Sequence, residues 1–379
     1  MKIIIAPDSF RECCSATEVA NSIKRGIHRV LPDAEILAVP VADGGEGTVD
    51  AILAAQGGHK IIVDAHDPLM RKIKSFFGIL TDKTTGIIEM SAASGIALLK
   101  EEEKNPWNTT TYGTGELIRE ALDRGCKKLV IGLGGSATND AGAGMVQALG
   151  VKLMDRMKQE IKPAGGFLNQ LETIDMSSID KRVYETEILV ACDVTNPLTG
   201  EKGASLVYGP QKGGNKEMLE KLDENLKHFA RKIKEFLNKE VEHIPGTGAS
   251  GGIAAGLLAF LNARLMPGID LISDTIMLEE KMRNADLVIT GEGKMDSQTK
   301  FGKTPFGVAK VAAKFNLPVI GIAGTLSDDA SELYSNGFEV LLPIINKPMS
   351  LAEAISNAPL LLEQTGERLG RMLKLKMNI

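Results

Sequence analysis

The feature that most constrains this 379-residue chain is a set of four glycine-rich loops, residues 43–48, 132–144, 246–252 and 291–304, each set after a short apolar run or before a helical pattern. Each loop also carries Ser, Thr, Asn, Asp or Glu. Glycine is favoured where backbone must turn sharply or approach a ligand closely. In open α/β sheets, strand carboxyl ends and helix N-termini present unpaired N–H groups that suit phosphate oxygens. The placement therefore implies an α/β fold that handles phosphate.

The pattern around the loops supports that fold. The run 3–6 reads as a buried strand, and Ser15-Ala16-Thr17-Glu18 is a capping box for a helix that turns Val19, Ile23, Ile27 and Val30 inward. Residues 36–41 form the next strand candidate, which breaks at the first glycine loop before a helix with Val49, Ile52 and Leu53. The same grammar returns late. A strand at 287–290 ends in Gly291-Glu292-Gly293, Thr304-Pro305 supplies an N-cap and a proline at N1, and 318–322 and 340–342 give two more strands. Strands alternating with helices imply a mostly parallel, doubly wound sheet.

The middle of the chain differs. It holds Asp67-Pro68-Leu69, a hairpin-like stretch around 81–85, short strands at 129–131 and 188–191, and a charged helix at 216–238 whose Leu219, Leu222, Leu226, Phe229, Ile233 and Leu237 share one face. This region reads as an inserted domain. The expected organisation is one α/β domain from 1–65 and 282–379 and a second from 66–281, a division that the chain length suits.

A net charge of −5 gives no general attraction to nucleic acid or anionic membrane, so neither is expected as a partner. Cys13, Cys14, Cys126 and Cys192 include an adjacent pair and no CxxC spacing, which argues against zinc and disulfides. Cys192 reads as a small buried thiol, and the histidines show no ligand spacing. The opening run lacks the length and flanks of a signal peptide or membrane span, so a cytoplasmic protein with reduced thiols is expected. Monomer and homodimer both stay open.

The stretch 132–144 is the richest in chemistry. Gly134, Gly135, Ser136, Thr138, Asn139 and Asp140 offer backbone donors, two hydroxyls, an amide and an acid after one apolar run. Gly246-Thr247-Gly248-Ala249-Ser250-Gly251 matches GxGxxG, with Asp270 about twenty residues on. No convincing strand precedes it, which makes a dinucleotide-dependent oxidoreductase the weaker alternative. Gly302-Lys303-Thr304 resembles the tail of a P-loop, but Ser297 stands where that motif has glycine. Lys303 still sits beside a helix start, where a cation and N–H groups jointly suit phosphate. Asp8, Asp43, Asp193 and Asp296 stand at or just after strand ends, where carboxylates hold metal ions and activate an acceptor hydroxyl.

As a set these motifs resemble the bacterial-type glycerate kinases. The likeness runs from Ala6-Pro7-Asp8-Ser9-Phe10 through Asp43-Gly44-Gly45-Glu46-Gly47-Thr48, Asp67-Pro68-Leu69, Tyr112-Gly113-Thr114-Gly115, the 134–140 stretch, Asp193-Val194-Thr195-Asn196-Pro197-Leu198, Gln211-Lys212-Gly213 and Thr290-Gly291-Glu292-Gly293 to Gly302-Lys303-Thr304-Pro305. The resemblance implies a flavodoxin-like doubly wound domain built from both chain ends, an inserted α/β domain, and a cleft where ATP and glycerate meet. It also implies phosphorylation of glycerate at the 2-hydroxyl with Mg²⁺.

In that reading the 134–140 residues and Lys303 hold nucleotide phosphate, Asp193 accepts the hydroxyl proton with Asp8 and Asp296 as candidates for the same role, and Asp193 and Asp296 ligate Mg²⁺. Asp43, Ser9 and Arg71 bind substrate, Arg71 through a bidentate pair with the glycerate carboxylate. Formation of 3-phosphoglycerate and a non-catalytic hydroxy-acid sensor are the alternatives. Two departures stand out: Arg11-Glu12-Cys13-Cys14 replaces a lysine followed by small residues, and Met70 stands where the family tends to have glycine.

Overall fold

The computed structural model describes residues 1–10, 13–300 and 302–377; Arg11 and Glu12 lie outside the described residues. In chain order the strands are β1 (Lys2–Ile5), β2 (Glu35–Ala38), β3 (Gly58–His66), β4 (Lys72–Leu80), β5 (Thr85–Glu89), β6 (Lys128–Gly132), β7 (Lys152–Met154), β8 (Thr173–Asp175), β9 (Glu187–Ala191), β10 (Arg264–Met266), β11 (Leu287–Met295), β12 (Val319–Leu326) and β13 (Val340–Pro343). The chain divides into two compact units: Met1–Asp43, Asp50–Gly57 and Ile269–Ile379 form the first, Gly44–Val49 and Gly58–Gly268 the second.

The first unit carries five parallel strands in the order β2-β1-β11-β12-β13. This is the flavodoxin-like order, in which the winding reverses beside the first strand. Ile3, Ile4 and Ile5 are all fully buried, so both faces of β1 are covered, as a parallel sheet requires. The helix Ala16–His28 is capped as its sequence implies, the Ser15 hydroxyl accepting the Glu18 N–H at 3.2 Å. It packs against the helix Ala358–Met377, where a Cβ on Gly26 would lie 2.0 Å from the Glu363 carbonyl oxygen. Glycine lets the two backbones meet.

One sequence expectation changes here. β11 and β12 run on to Met295 and Leu326 instead of ending at Gly291 and Gly324, and they stay paired from Val288↔Val319 to Met295↔Leu326. A Cβ on Gly291 would sit 2.0 Å from the Ile322 carbonyl oxygen, and one on Gly324 would sit 2.5 Å from that of Gly293. These glycines serve close strand approach, and Glu292 consequently stands on a strand.

The second unit has a six-stranded sheet in the order β10-β9-β6-β5-β4-β3, parallel from β10 to β5, with β4 antiparallel to both neighbours. β7 and β8 form a separate antiparallel pair. The β4–β5 connection is the expected hairpin, its turn held by the Asp82 carboxylate accepting the Thr84 and Thr85 N–H groups at 2.8 and 2.9 Å. The helix Lys216–Leu237 buries Leu219, Leu222, Leu226, Phe229 and Ile233 on one face. Each such side chain contributes roughly 1.5–3 kcal/mol of burial.

The junctions differ from those read in the sequence. β3 pairs with β4 over nine residues, which carries 58–65 into the second unit. Residues 269–281 belong to the first, where Ile269 packs so closely on Gly307 that a Cβ there would lie 1.9 Å from Ile269 Cγ1. Among the described residues no helix is long and apolar enough to cross a membrane.

Candidate active site

In the first unit the chemistry collects at the carboxyl ends of β1 and β11, where the strand order reverses. Open α/β sheets bind ligands at that point. Asp8 is held there by its N–H to the Gly291 carbonyl at 2.8 Å. Its Oδ1 accepts the Ser9 N–H at 2.6 Å and its Oδ2 accepts the Thr304 hydroxyl at 2.6 Å. Thr304 therefore does not cap its helix, as the sequence suggested; Lys303 takes the cap position and the buried Thr304 hydroxyl ties the helix start to Asp8.

Lys303 stands between two carboxylates, its Nζ 3.4 Å from Glu292 Oε2 and 3.5 Å from Asp296 Oδ1. Glu292 Oε1 accepts the Thr299 hydroxyl at 2.8 Å, and Asp296 Oδ2 lies 3.3 Å from Lys294 Nζ. The two acids respond differently. Burial pushes the Glu292 carboxyl up, against the pull of Thr299 and Lys303. Burial also acts to raise Asp296, but Lys303, Lys294 and the Gln298 N–H together hold it below its ordinary value. Glu292 had no role assigned from sequence. Its signal is an acid flanked by two glycines on an apolar strand, easily taken for a turn.

In the second unit the 132–144 stretch leaves the end of β6, and the register Gly132↔Ala191 brings Asp193, two residues past β9, to the same edge. Residues 44–48, which belong to the same unit, lie over it: the Gly134 N–H donates to the Gly44 carbonyl at 3.2 Å, and a Cβ on Gly132 would sit 2.2 Å from that oxygen. Gly135 is exposed and Gly134 half-buried, whereas Ser136, Thr138, Asn139 and Asp140 are buried. Asp140 accepts four hydrogen bonds, from the Thr111 N–H (2.9 Å) and hydroxyl (2.8 Å) and from the Gly142 and Gly144 N–H groups (both 3.2 Å). Burial pushes its carboxyl up against those donors. Asn139 Nδ2 donates to Ser205 Oγ at 2.8 Å. Sequence reading gave all six residues to phosphate. The structure buries Ser136, Thr138, Asn139 and Asp140, with Asn139 and Asp140 bonded inward and the Thr138 hydroxyl without a hydrogen bond, and leaves Gly135 exposed.

The remaining candidates are placed as follows. Asp193 is exposed, and its Oδ1 accepts the Gly268 N–H at 2.7 Å. Asp43 is half-buried after β2. Arg71 is engaged: its Nε donates to Asp67 Oδ2 at 2.5 Å and its Nη1 to Glu103 Oε1 at 2.7 Å, so a substrate carboxylate would have to displace Glu103. The turn carrying it puts Met70 at φ 62, a left-handed conformation that accounts for the family's glycine there. Burial pushes the Cys192 thiol up and that of Cys14 up to about 12, so neither is an activated thiolate.

The glycerate kinase family model matches residues 3–374. The chain belongs to the glycerate kinase family. It is 49% identical over 358 residues to the glycerate 2-kinase of Escherichia coli K12, covering 94% of each chain. It is 48% identical over 375 residues to the glycerate kinase of Bacillus subtilis 168, covering 99% of this chain and 98% of that one. Against a crystal structure from Salmonella typhimurium LT2 with a provisional glycerate kinase 2 assignment, the TM-score is 0.91 at 46% identity, with full coverage of both chains.

Membership in this kinase family leaves the 246–251 match as structure. No strand precedes it, and Ser250, Gly251 and Gly252 adopt three successive left-handed conformations. A Cβ on Gly251 would lie 1.8 Å from the Thr138 carbonyl oxygen, so these glycines pack one loop on another. The acids suit Mg²⁺ in one respect. Among the described residues no group of three or more acidic, His or Cys side chains could hold a metal, yet Mg²⁺ is commonly held by one or two carboxylates plus phosphate oxygens. Hard oxygens at Asp296 and Glu292 fit that pattern.

Proposed function

We propose that the chain transfers the γ-phosphoryl group of ATP to the 2-hydroxyl of glycerate, giving 2-phosphoglycerate and ADP. The observation that carries this reading is the lysine-bridged pair of acids, Glu292 and Asp296, set with Asp8 at the switch point of a flavodoxin-like sheet. The 49% identity to a protein named glycerate 2-kinase supports the regiochemistry.

Phosphoryl transfer depends chiefly on positioning and charge stabilisation. In this reading Lys303 is one group that receives phosphate oxygens and the backbone N–H of the exposed Gly135 is another. Ser9, Asp43 and Arg71 bind glycerate, Arg71 exchanging Glu103 for the substrate carboxylate. Asp193 accepts the hydroxyl proton. Bound Mg²⁺ would neutralise charge on the β- and γ-oxygens, with Asp296 or Asp193 among its ligands. Exchange of Asp193 for Asn should leave the melting temperature unchanged and lower turnover about 10²–10⁴-fold; wild-type turnover would remove Asp193 from the role. The four free cysteines suit a reducing cytoplasm.

The test is an assay of ADP release with Mg²⁺, ATP and D-glycerate, followed by phosphorus NMR of the product. A 2-phospho product supports the proposal. A 3-phospho product overturns the regiochemistry, and glycerate binding without turnover points to a sensor.

A further inference from the structure

Lys212 closes the short turn Pro210–Lys212 in the second unit and is 2% exposed. Its Nζ donates to Ser136 Oγ at 2.8 Å and to the Thr138 carbonyl oxygen at 2.7 Å. Both acceptors are neutral, and an ammonium carries three protons. Asp140 is the charged group whose field reaches it, but that carboxylate already accepts four hydrogen bonds from other donors. A buried charge is ordinarily paired, because removing it from water is costly. This one is bonded to a turn on which Gly135 is exposed, whereas Gly134 is half-buried with its N–H on the Gly44 carbonyl. The turn is fixed from a third direction, the Ile96 N–H donating to the Gly135 carbonyl at 2.8 Å and the Ala137 N–H to the Ser94 carbonyl at 2.9 Å.

We propose that Lys212 is a positioning residue: it holds Ser136 and Thr138 in place and projects its charge through the turn onto a phosphate oxyanion of the nucleotide seated at Gly135. The inference rests on the reading of that turn as a phosphate seat. Two features support it. The ammonium contacts the turn itself, so its loss both loosens the turn and removes the field. Burial also lowers its pKa to about 7, with Asp140 opposing, so a bound oxyanion should pull the proton back on.

The decisive comparison is Lys212→Met, which keeps the stem and removes the charge, alongside Lys212→Ala with and without methylammonium. At an effective dielectric of about 20, a unit charge as far as about 12 Å from an oxyanion still accounts for roughly tenfold in affinity, and a nearer one for more. KM for ATP should rise by about that factor in both variants, KM for glycerate should stay within about twofold, and methylammonium should restore KM for ATP in Lys212→Ala only. Unchanged KM values with a lowered melting temperature would overturn the proposal and leave Lys212 structural. A rise confined to glycerate would keep the role of Lys212 but overturn the nucleotide reading of the turn. If neither variant folds, lysine side-chain NMR of the wild-type chain decides: saturating ADP should raise the Lys212 pKa, and an unmoved titration would sink the idea.

Discussion

The two units build their charged loops from the same strand–glycine–helix grammar and use them in opposite ways. In the first, Glu292, Asp296 and Lys303 stand half-buried on β11, just past it and at the next helix start, and the lysine meets the two acids at 3.4 and 3.5 Å, longer than tight hydrogen bonds. In the second, Asp140 and Lys212 are sealed inside and bonded at 2.7–3.2 Å. Loose, partly solvated charge can exchange a partner for substrate. Sealed charge shapes backbone. Residue type alone therefore does not separate ligand contacts from braces; the direction each loop faces does.

The largest effect that tests this contrast is expected at Asp140. Its replacement by Ala leaves three N–H groups and a hydroxyl without their acceptor and should cost about 3–5 kcal/mol of stability, measured by chemical denaturation. A loss under about 1 kcal/mol, the range of an exposed pair, would mean that the second unit is not braced in this way. Lys303→Met should do the reverse: little change in the denaturation midpoint and a fall of about ten- to a hundredfold in kcat/KM for ATP, as expected for one partly solvated phosphate contact. A stability loss matching that of Asp140→Ala would erase the distinction. A smaller effect is expected at Met70. Glycine there relieves a left-handed conformation costing roughly 1–2 kcal/mol but adds unfolded-state entropy, so Met70→Gly should stabilise by about 0.5–1 kcal/mol, read in the same melts with Arg71 left in place.

How much of this was legible in the sequence follows from the same physics. The apolar runs, the Ser15 cap and the face of the Lys216–Leu237 helix depend on local pattern and appear where the pattern put them, although only the Ser15 half of the capping box forms. The doubly wound sheet came from the alternation of strands and helices, and its flavodoxin-like order from the family resemblance. Contacts distant in sequence did not show. Nothing local tells that Gly291 meets Ile322, so a strand glycine read as a loop and Glu292 was passed over. Nothing local tells that the Thr304 hydroxyl reaches Asp8 across 296 positions, so it read as a cap. Lys212 lies in a quoted motif, but its burial beneath Ser136 depends on a contact 76 residues away.

The smallest effect is one of slope, and it divides the two acids that share Lys303. Glu292 has its carboxyl raised above the ordinary 4.5 by burial, so the folded chain binds that proton more tightly than the unfolded chain. Stability from this group is then highest below 4.5 and falls as pH rises from there through the raised value. Asp296 has its carboxyl lowered below 3.8, so its contribution is present above 3.8 and disappears as pH falls through the lowered value. Glu292→Gln should remove the decline above 4.5, and Asp296→Asn the loss below 3.8, each visible in denaturation free energy followed across pH at fixed ionic strength. If Glu292→Gln leaves the profile above 4.5 unchanged, the Glu292 carboxyl is not held in a buried setting, and the first unit's cluster is more open than its geometry indicates.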